Sequence, residues 1–173
     1  MEHLLFLGSL VCVWIIVALA ANLVIGYTGM MAMGQAAYLG FGAYVAAALN
    51  VLVGVNYFAA LIVAVVTSGI VAGLTLWPLL RIGGFYFALA TLGLNFVFFD
   101  LIHNLGPRSE GSDGLHGMKL PAGLDSSGAR LATIVIIALA CALVCQRIVA
   151  SPLGRALRAV RDRPDALAAL GKD

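Results

Sequence analysis

The sequence predicts an all-α, polytopic membrane protein. It has about five transmembrane helices, a broken-helix region near residues 26–35 and a helical cytoplasmic segment at its end. Three observations predict this. The 173 residues are 62% hydrophobic and only 10% charged, where a soluble domain carries about a quarter charged residues. Between Glu2 and Arg81 there is no Asp, Glu, Lys or Arg, and of the first 100 residues only Glu2, Arg81 and Asp100 are charged. Half of the 10 basic residues, Arg147, Arg155, Arg158, Arg161 and Arg163, then gather near the end. A water-soluble fold cannot expose so little charge and stay dispersed.

The first span is 4–25, a branched aliphatic run in which Asn22 is the clearly polar residue. At about 1.5 Å per residue it covers a hydrocarbon core of roughly 30 Å. Met1-Glu2-His3 lacks the basic start of a secretory leader, so the run is expected to be retained. Gly26, Gly29 and Gly34 then interrupt the helical pattern with no charge nearby. The segment is either an ordinary turn between spans or an interrupted helix of the kind that flanks transport sites.

The second span is 36–53. Ala32, Ala36 and Gly40 repeat every four residues, as do Gly42 and Ala46, a spacing that lets helix backbones approach closely in lipid. Asn50 and Asn56 bracket a turn into the third span, 57–80, whose Trp77-Pro78 suits a headgroup interface. The fourth span is 85–102. Its Thr91 and Asn95 are four apart and face one way, either bonding across helices or lining a path. Asp100 and His103 at its end read better as a solvated interfacial pair than as a proton relay. Residues 104–129 form a Gly-, Ser- and Pro-rich loop, and 130–150 is the fifth span.

The last segment, 151–171, opens on Ser151-Pro152, a hydroxyl cap followed by proline at the first helical position. Leu153, Leu157, Val160, Pro164 and Leu167 share a face, and Arg155, Arg158, Asp162 and Asp165 lie around the other side. Pro164 divides the stretch into two short helices, and Gly171 is a stop signal. The arginines place this segment in the cytoplasm. Counting back through five crossings puts 104–129 outside, Arg81 inside and the N-terminus outside.

Several chemistries are excluded. There is no Gly-x-x-x-x-Gly-Lys-Ser/Thr phosphate loop, no Gly-x-Ser-x-Gly elbow, no His-Glu-x-x-His and no Cys-x-x-Cys. Ser109, Ser112, Asp113 and His116 share one loop without rigid support. Cys12, Cys141 and Cys145 sit in apolar runs as packing residues, with no disulfide framework or metal spacing. No aromatics interleave with the arginines, so nucleic acid is not a partner; anionic lipid explains the basic cluster. No catalytic residue, metal site or bound cofactor is expected.

Three stretches in order resemble the permease subunits of branched-chain amino-acid ABC importers. The run from Asn22 to Gly29, with Gly34-Gln35-Ala36-Ala37-Tyr38 through Tyr44, resembles the first broken-helix region of that family. Gly84 to Leu92, with Gly111-Ser112-Asp113-Gly114-Leu115, resembles its next span and outer loop. Ser151-Pro152-Leu153-Gly154-Arg155 through Arg161, and on to Gly171, resembles its cytoplasmic coupling segment. The ordered set covers most of the chain and resembles one of the family's two homologous permease types.

The resemblance implies one membrane permease domain over 1–173, incomplete because family members continue with further spans to roughly twice this length. It implies a non-enzymatic transport subunit in the cell inner membrane, moving branched-chain or related amino acids by alternating access. The implied partners are cytosolic ATPase subunits that hold ATP and magnesium, a second homologous permease and an external solute-binding protein, all around a lipid-embedded core. The coupling residues would be Gly154, Arg155, Leu157, Arg158, Val160, Arg161 and Gly171. Asn22, Tyr27, Gln35, Tyr38, Thr91 and Asn95 are the candidate pathway groups. Members often carry histidine where Gln35 stands, so Gln35 is given no ionisable role. Urea, amides or another small polar solute of the same superfamily is the alternative cargo. A passive channel or structural membrane protein is the more distant alternative, and it would have no use for an arginine-bearing amphipathic end.

Overall fold

The computed structural model describes residues 2–82, 84–104, 115, 117, 118, 120, 121, 124 and 126–162, and every regular element among them is helical. The elements are α1 (Glu2–Ala21) with a π-helical turn at Asn22–Gly26, α2 (Gln35–Val51), α3 (Tyr57–Leu79), α4 (Phe85–Asn104), α5 (Ser127–Ala150) and α6 (Pro152–Asp162). Most of the expected 104–129 loop, with Ser109, Ser112, Asp113 and His116, lies outside the described residues. So do Arg163, Pro164, Asp165, Leu167 and Gly171 of the final segment.

By length and composition, four helices among the described residues can cross a membrane: Glu2–Gly26, Tyr57–Leu79, Phe85–Asn104 and Ser127–Ala150. The fifth expected span, α2, has 17 residues, about 25 Å of helix against a core of roughly 30 Å. The spans are apolar all round, and large side chains such as Leu4, Ile62 and Phe96 are exposed. That surface suits lipid and not water.

The chain divides into two compact units, Met1–Met31 with Gly123–Asp173 and Ala32–Ala122. In the first unit α1 and α5 pack side by side and run parallel. Glu2 and His3 lie with Ser126 and Arg130 at one end, and Leu19 to Tyr27 lie with Ala142 to Val149 at the other. The close approach passes over Gly8, where a Cβ would stand 3.2 Å from Leu131 Cδ1. Ser126 caps α5 by accepting from Ala129 N–H at 3.2 Å, so the helix starts three residues before the expected Arg130.

In the second unit α2 is the middle helix, packed on both α3 and α4. It runs parallel to α4: Gly34 meets Thr91, Ala37 meets Asn95, and Phe41 meets Phe98. It runs antiparallel to α3, with Tyr38 O–H and Thr75 Oγ1 at 2.7 Å and Gly42 against Ser68. The turn between α2 and α3 closes by Asn50, whose buried amide donates to Val55 O at 3.0 Å. Asn56 caps α3 by accepting from Phe58 N–H.

The buried face of α2 carries Ala37, Ala47 and Asn50. The stripe expected from spacing lies elsewhere. Ala32 precedes the helix, Ala36 is exposed, Ala46 is half-buried, and a Cβ at Gly40 would meet nothing within 4 Å. Gly42 of that set lies against a neighbouring helix, where a Cβ would stand 3.5 Å from Ser68 Oγ. The reason is that nearly every position of α2 is small or apolar, so several stripes fit a four-residue repeat equally well. Contact is decided instead by the polar anchors Tyr38, Asn50 and Asn95.

Gly34 is the position where size matters. It is buried, and a Cβ would lie 3.0 Å from Thr91 O and 3.3 Å from Thr91 Cβ. Gly34→Leu is expected to destabilise the folded chain by about 1–3 kcal/mol through overpacking. Gly40→Ala, in open space within the helix, should instead be neutral or gain about 0.5 kcal/mol. Thermal unfolding of both variants in detergent checks the contrast, and equal midpoints would refute it.

Candidate functional site

The interruption after α1 leaves backbone groups without helical partners, and each unit satisfies its own. In the first unit the π-turn widens the helix at Asn22–Gly26. Such turns recur at functional sites. The helix then ends at Gly29, in the left-handed region at φ +71°, with Gly29 N–H donating to Ile25 O at 3.1 Å. Thr28 Oγ1 donates back to Val24 O and accepts from Met30 N–H at 3.2 Å.

Asn22 and Tyr27 belong to this turn. The Asn22 amide lies against Gly26, where an added Cβ would collide with it. Both residues line a cavity of about 180 Å³ together with Cys145 and Gln146 of α5. Gln146 carries no motif in the sequence and becomes visible only through the packing of α5 on α1.

In the second unit the entry to α2 is fastened to α4 by two side chains. Thr91 is fully buried; its hydroxyl accepts from Met33 N–H at 3.1 Å and donates to Phe87 O at 2.9 Å. The Asn95 amide donates to Met33 O at 2.7 Å and accepts from Ala37 N–H at 2.8 Å. It therefore serves one carbonyl of the non-helical segment and the Ala37 N–H in the first turn of α2, which also donates to Gly34 O at 3.2 Å. The two groups expected to glue helices or line a path act here as backbone clamps.

Tyr38 is committed similarly. Its hydroxyl pairs with Thr75, and its ring lies 5.8 Å from that of Phe98. Gln35 differs: its Nε2 is buried without a hydrogen-bond partner among the described residues. An apolar cavity of about 450 Å³ runs between α2 and α4, bounded by Ala36, Gly40, Phe96 and Phe99, with Asn95 as the polar group on its wall. At the end of α4, Asp100 accepts from the Asn104 amide at 2.8 Å and His103 stacks on Phe99.

The final helix α6 turns off α5 at Ser151, which has extended backbone at ψ 171°. The expected forward cap of α6 is replaced by a backward bond, Ser151 Oγ donating to Ile148 O at 2.6 Å. The hydroxyl thus closes the end of α5, whose last carbonyls need donors. Gly154 is buried at this corner. A Cβ there would stand 2.6 Å from Val149 Cα, inside any tolerable contact, so the bend requires glycine. Leu157 is half-buried, while Leu153 and Val160, seven residues apart, are 69% and 42% exposed on an 11-residue helix. Arg155 is exposed. Arg158 and Arg161 reach back to the chain itself. Arg158 Nη2 donates to Val149 O at 3.1 Å with its guanidinium 5.6 Å from the Tyr27 ring, and Arg161 Nη1 donates to Gly26 O.

Two curated relatives carry this pattern beyond geometry. The chain is 27% identical over 192 residues to the high-affinity branched-chain amino acid transport system permease protein LivM of Salmonella typhimurium strain LT2 and, equally, to that of Escherichia coli strain K12. Each match covers 95% of this chain and 45% of the relative, so the chain spans about half the length of the relatives it matches. No solved structure matches. A family model described as branched-chain amino acid transport system / permease component matches residues 4–173. With its apolar helices and nearly its whole length covered by that model, the chain is a multi-pass membrane protein belonging to the family of branched-chain amino acid transport system permease components.

Proposed function

We propose that the chain supplies part of the membrane path of an ATP-driven importer for branched-chain amino acids, working by alternating access in the inner membrane. The observation that carries this reading is the α5–α6 corner. A short amphipathic helix follows a spanning helix directly, is fixed by a glycine that tolerates no side chain, and leaves Leu153 and Val160 exposed. An exposed apolar pair on a cationic helix suits docking into a groove of another protein. On this reading the groove belongs to cytosolic ATPase subunits, which hold ATP and magnesium and whose closure biases two arrangements of the spans. A second homologous permease and an external solute-binding protein complete the assembly on this reading. Membership of a family of branched-chain amino acid permease components favours branched-chain amino acids over urea or amides as cargo.

The helix directions support the orientation deduced from charge. α1 and α5 run parallel, so an odd number of crossings separates them. With α3 and α4 each long enough to cross, a crossing α2 completes that count, and its parallel course beside α4 agrees with it. The arginine-rich end of α6 is then cytoplasmic, as is the end of α1.

Two experiments test this reading. In a pull-down of the detergent-solubilised chain with the ATPase subunits of its transporter, Leu153→Asp with Val160→Asp is expected to weaken binding at least about tenfold. Binding at the unmutated level would reject α6 as the docking element. In a cysteine-free background, Asn56→Cys should react with a membrane-impermeant maleimide on intact cells, and Ala156→Cys only after lysis. The reverse pattern would invert the topology.

A further inference from the structure

The end of α1 is capped from a distance of 135 residues. In a continuing helix the Gly26 carbonyl would accept from Met30 N–H. Met30 N–H bonds instead to Thr28 Oγ1, because the chain leaves the helix at Gly29. Arg161 Nη1 takes its place at the Gly26 carbonyl. The aliphatic stem of Arg161 fills the space beside Gly29, where a Cβ would stand 3.0 Å from Arg161 Cγ. One turn earlier Arg158 lies over the Tyr27 ring and bonds to Val149 O at 3.1 Å. Two arginines on one face of α6 therefore hold the C-terminal ends of both α1 and α5, where the helix dipoles favour cations.

We infer that Arg158 and Arg161 are positioning residues that latch α6 to the interrupted end of α1, so that α6 and the π-turn move as one body. The functional meaning rests on the importer reading above; the latch itself does not. Without it, α6 would be held through the corner with α5, and a displacement of α6 would reach α1 only through the α1–α5 contact. With it, a push on α6 acts directly on the turn that bears Asn22 and Tyr27. The bond goes to a backbone carbonyl, so the latch depends on the arginine and on the widened turn, not on an acidic partner.

The test uses spin labels on the full chain in lipid nanodiscs, with Cys12, Cys141 and Cys145 replaced by alanine. One labelled pair, Val24→Cys with Ala156→Cys, reports α6 against the π-turn. A second pair, Val24→Cys with Leu143→Cys, reports α1 against α5. Arg158→Gln with Arg161→Gln is expected to broaden the first distance distribution and leave the second unchanged. Arg158→Lys with Arg161→Lys, which keeps charge and donors, is expected to restore much of the narrow distribution. An unchanged first pair in the glutamine variant overturns the latch. Broadening of both pairs overturns it too, because the arginines would then be needed for folding and not for positioning. In the assembled transporter the glutamine variant is expected to lower transport about tenfold. Transport and hydrolysis both at the unmutated level would overturn the latch's functional meaning. Failure of the unmutated chain to bind any ATPase would sink the importer reading while the distance result stood.

Discussion

A helix that stops near a bilayer must find new partners for its last carbonyls and first N–H groups, because lipid offers none. The rest of this structure depends on how that requirement is met after α1. The carbonyl of Gly26 takes a guanidinium, the carbonyl of Met33 takes an amide, and the N–H groups of Met30, Met33 and Ala37 take Thr28, Thr91 and Asn95. Each unsatisfied buried group costs roughly 1–3 kcal/mol, so these bonds decide whether the interruption is tolerated at all. They also fix its geometry, since each acceptor or donor is supplied by a packed helix.

That requirement recasts the polar residues of α4. Thr91 and Asn95 look in sequence like groups facing a path. In the structure Asn95 has its oxygen on an N–H and its nitrogen on a carbonyl, a pairing that also settles the amide orientation. Little hydrogen-bonding capacity is left for a passing solute. Gln35 keeps a buried nitrogen with no hydrogen-bond partner among the described residues, and Asn22 and Tyr27 line a cavity. The polar groups of α4 are thus spent on holding the segment in place.

The helices were legible because a long apolar run has few other uses, and the boundaries of α1–α5 follow the expected ones within a few residues. The packing face of α2 was not, because a helix made of Ala, Gly and aliphatics has no polar side to mark its inside. Its register follows from Asn95 and Thr75 on other helices, which no local pattern reveals. Ser151 illustrates a different limit: a hydroxyl between two helices can serve either one, and here it joins its own N–H on the Ile148 carbonyl. The arginines of α6 were visible as a cluster, and the inside rule accounts for their side of the membrane. Their partners were invisible, because a guanidinium bonding a backbone carbonyl leaves no complementary charge in the sequence.

The length of α6 adds a thermodynamic point. An 11-residue helix is marginal in water by itself, since helices shorter than about 12–15 residues rarely repay nucleation. Its order must come from what it touches: the Gly154 corner, the Val149 carbonyl, the Tyr27 ring and the Gly26 carbonyl. Two of these contacts, at the Tyr27 ring and the Gly26 carbonyl, also constrain the end of α1. Linkage makes that relation reciprocal. Anything that binds and rigidifies α6 favours the α1 conformation seen here, and anything that shifts the π-turn weakens the surface α6 presents. A short helix with borrowed stability is therefore suited to carrying a signal in both directions, in a way that a long, self-sufficient helix is not.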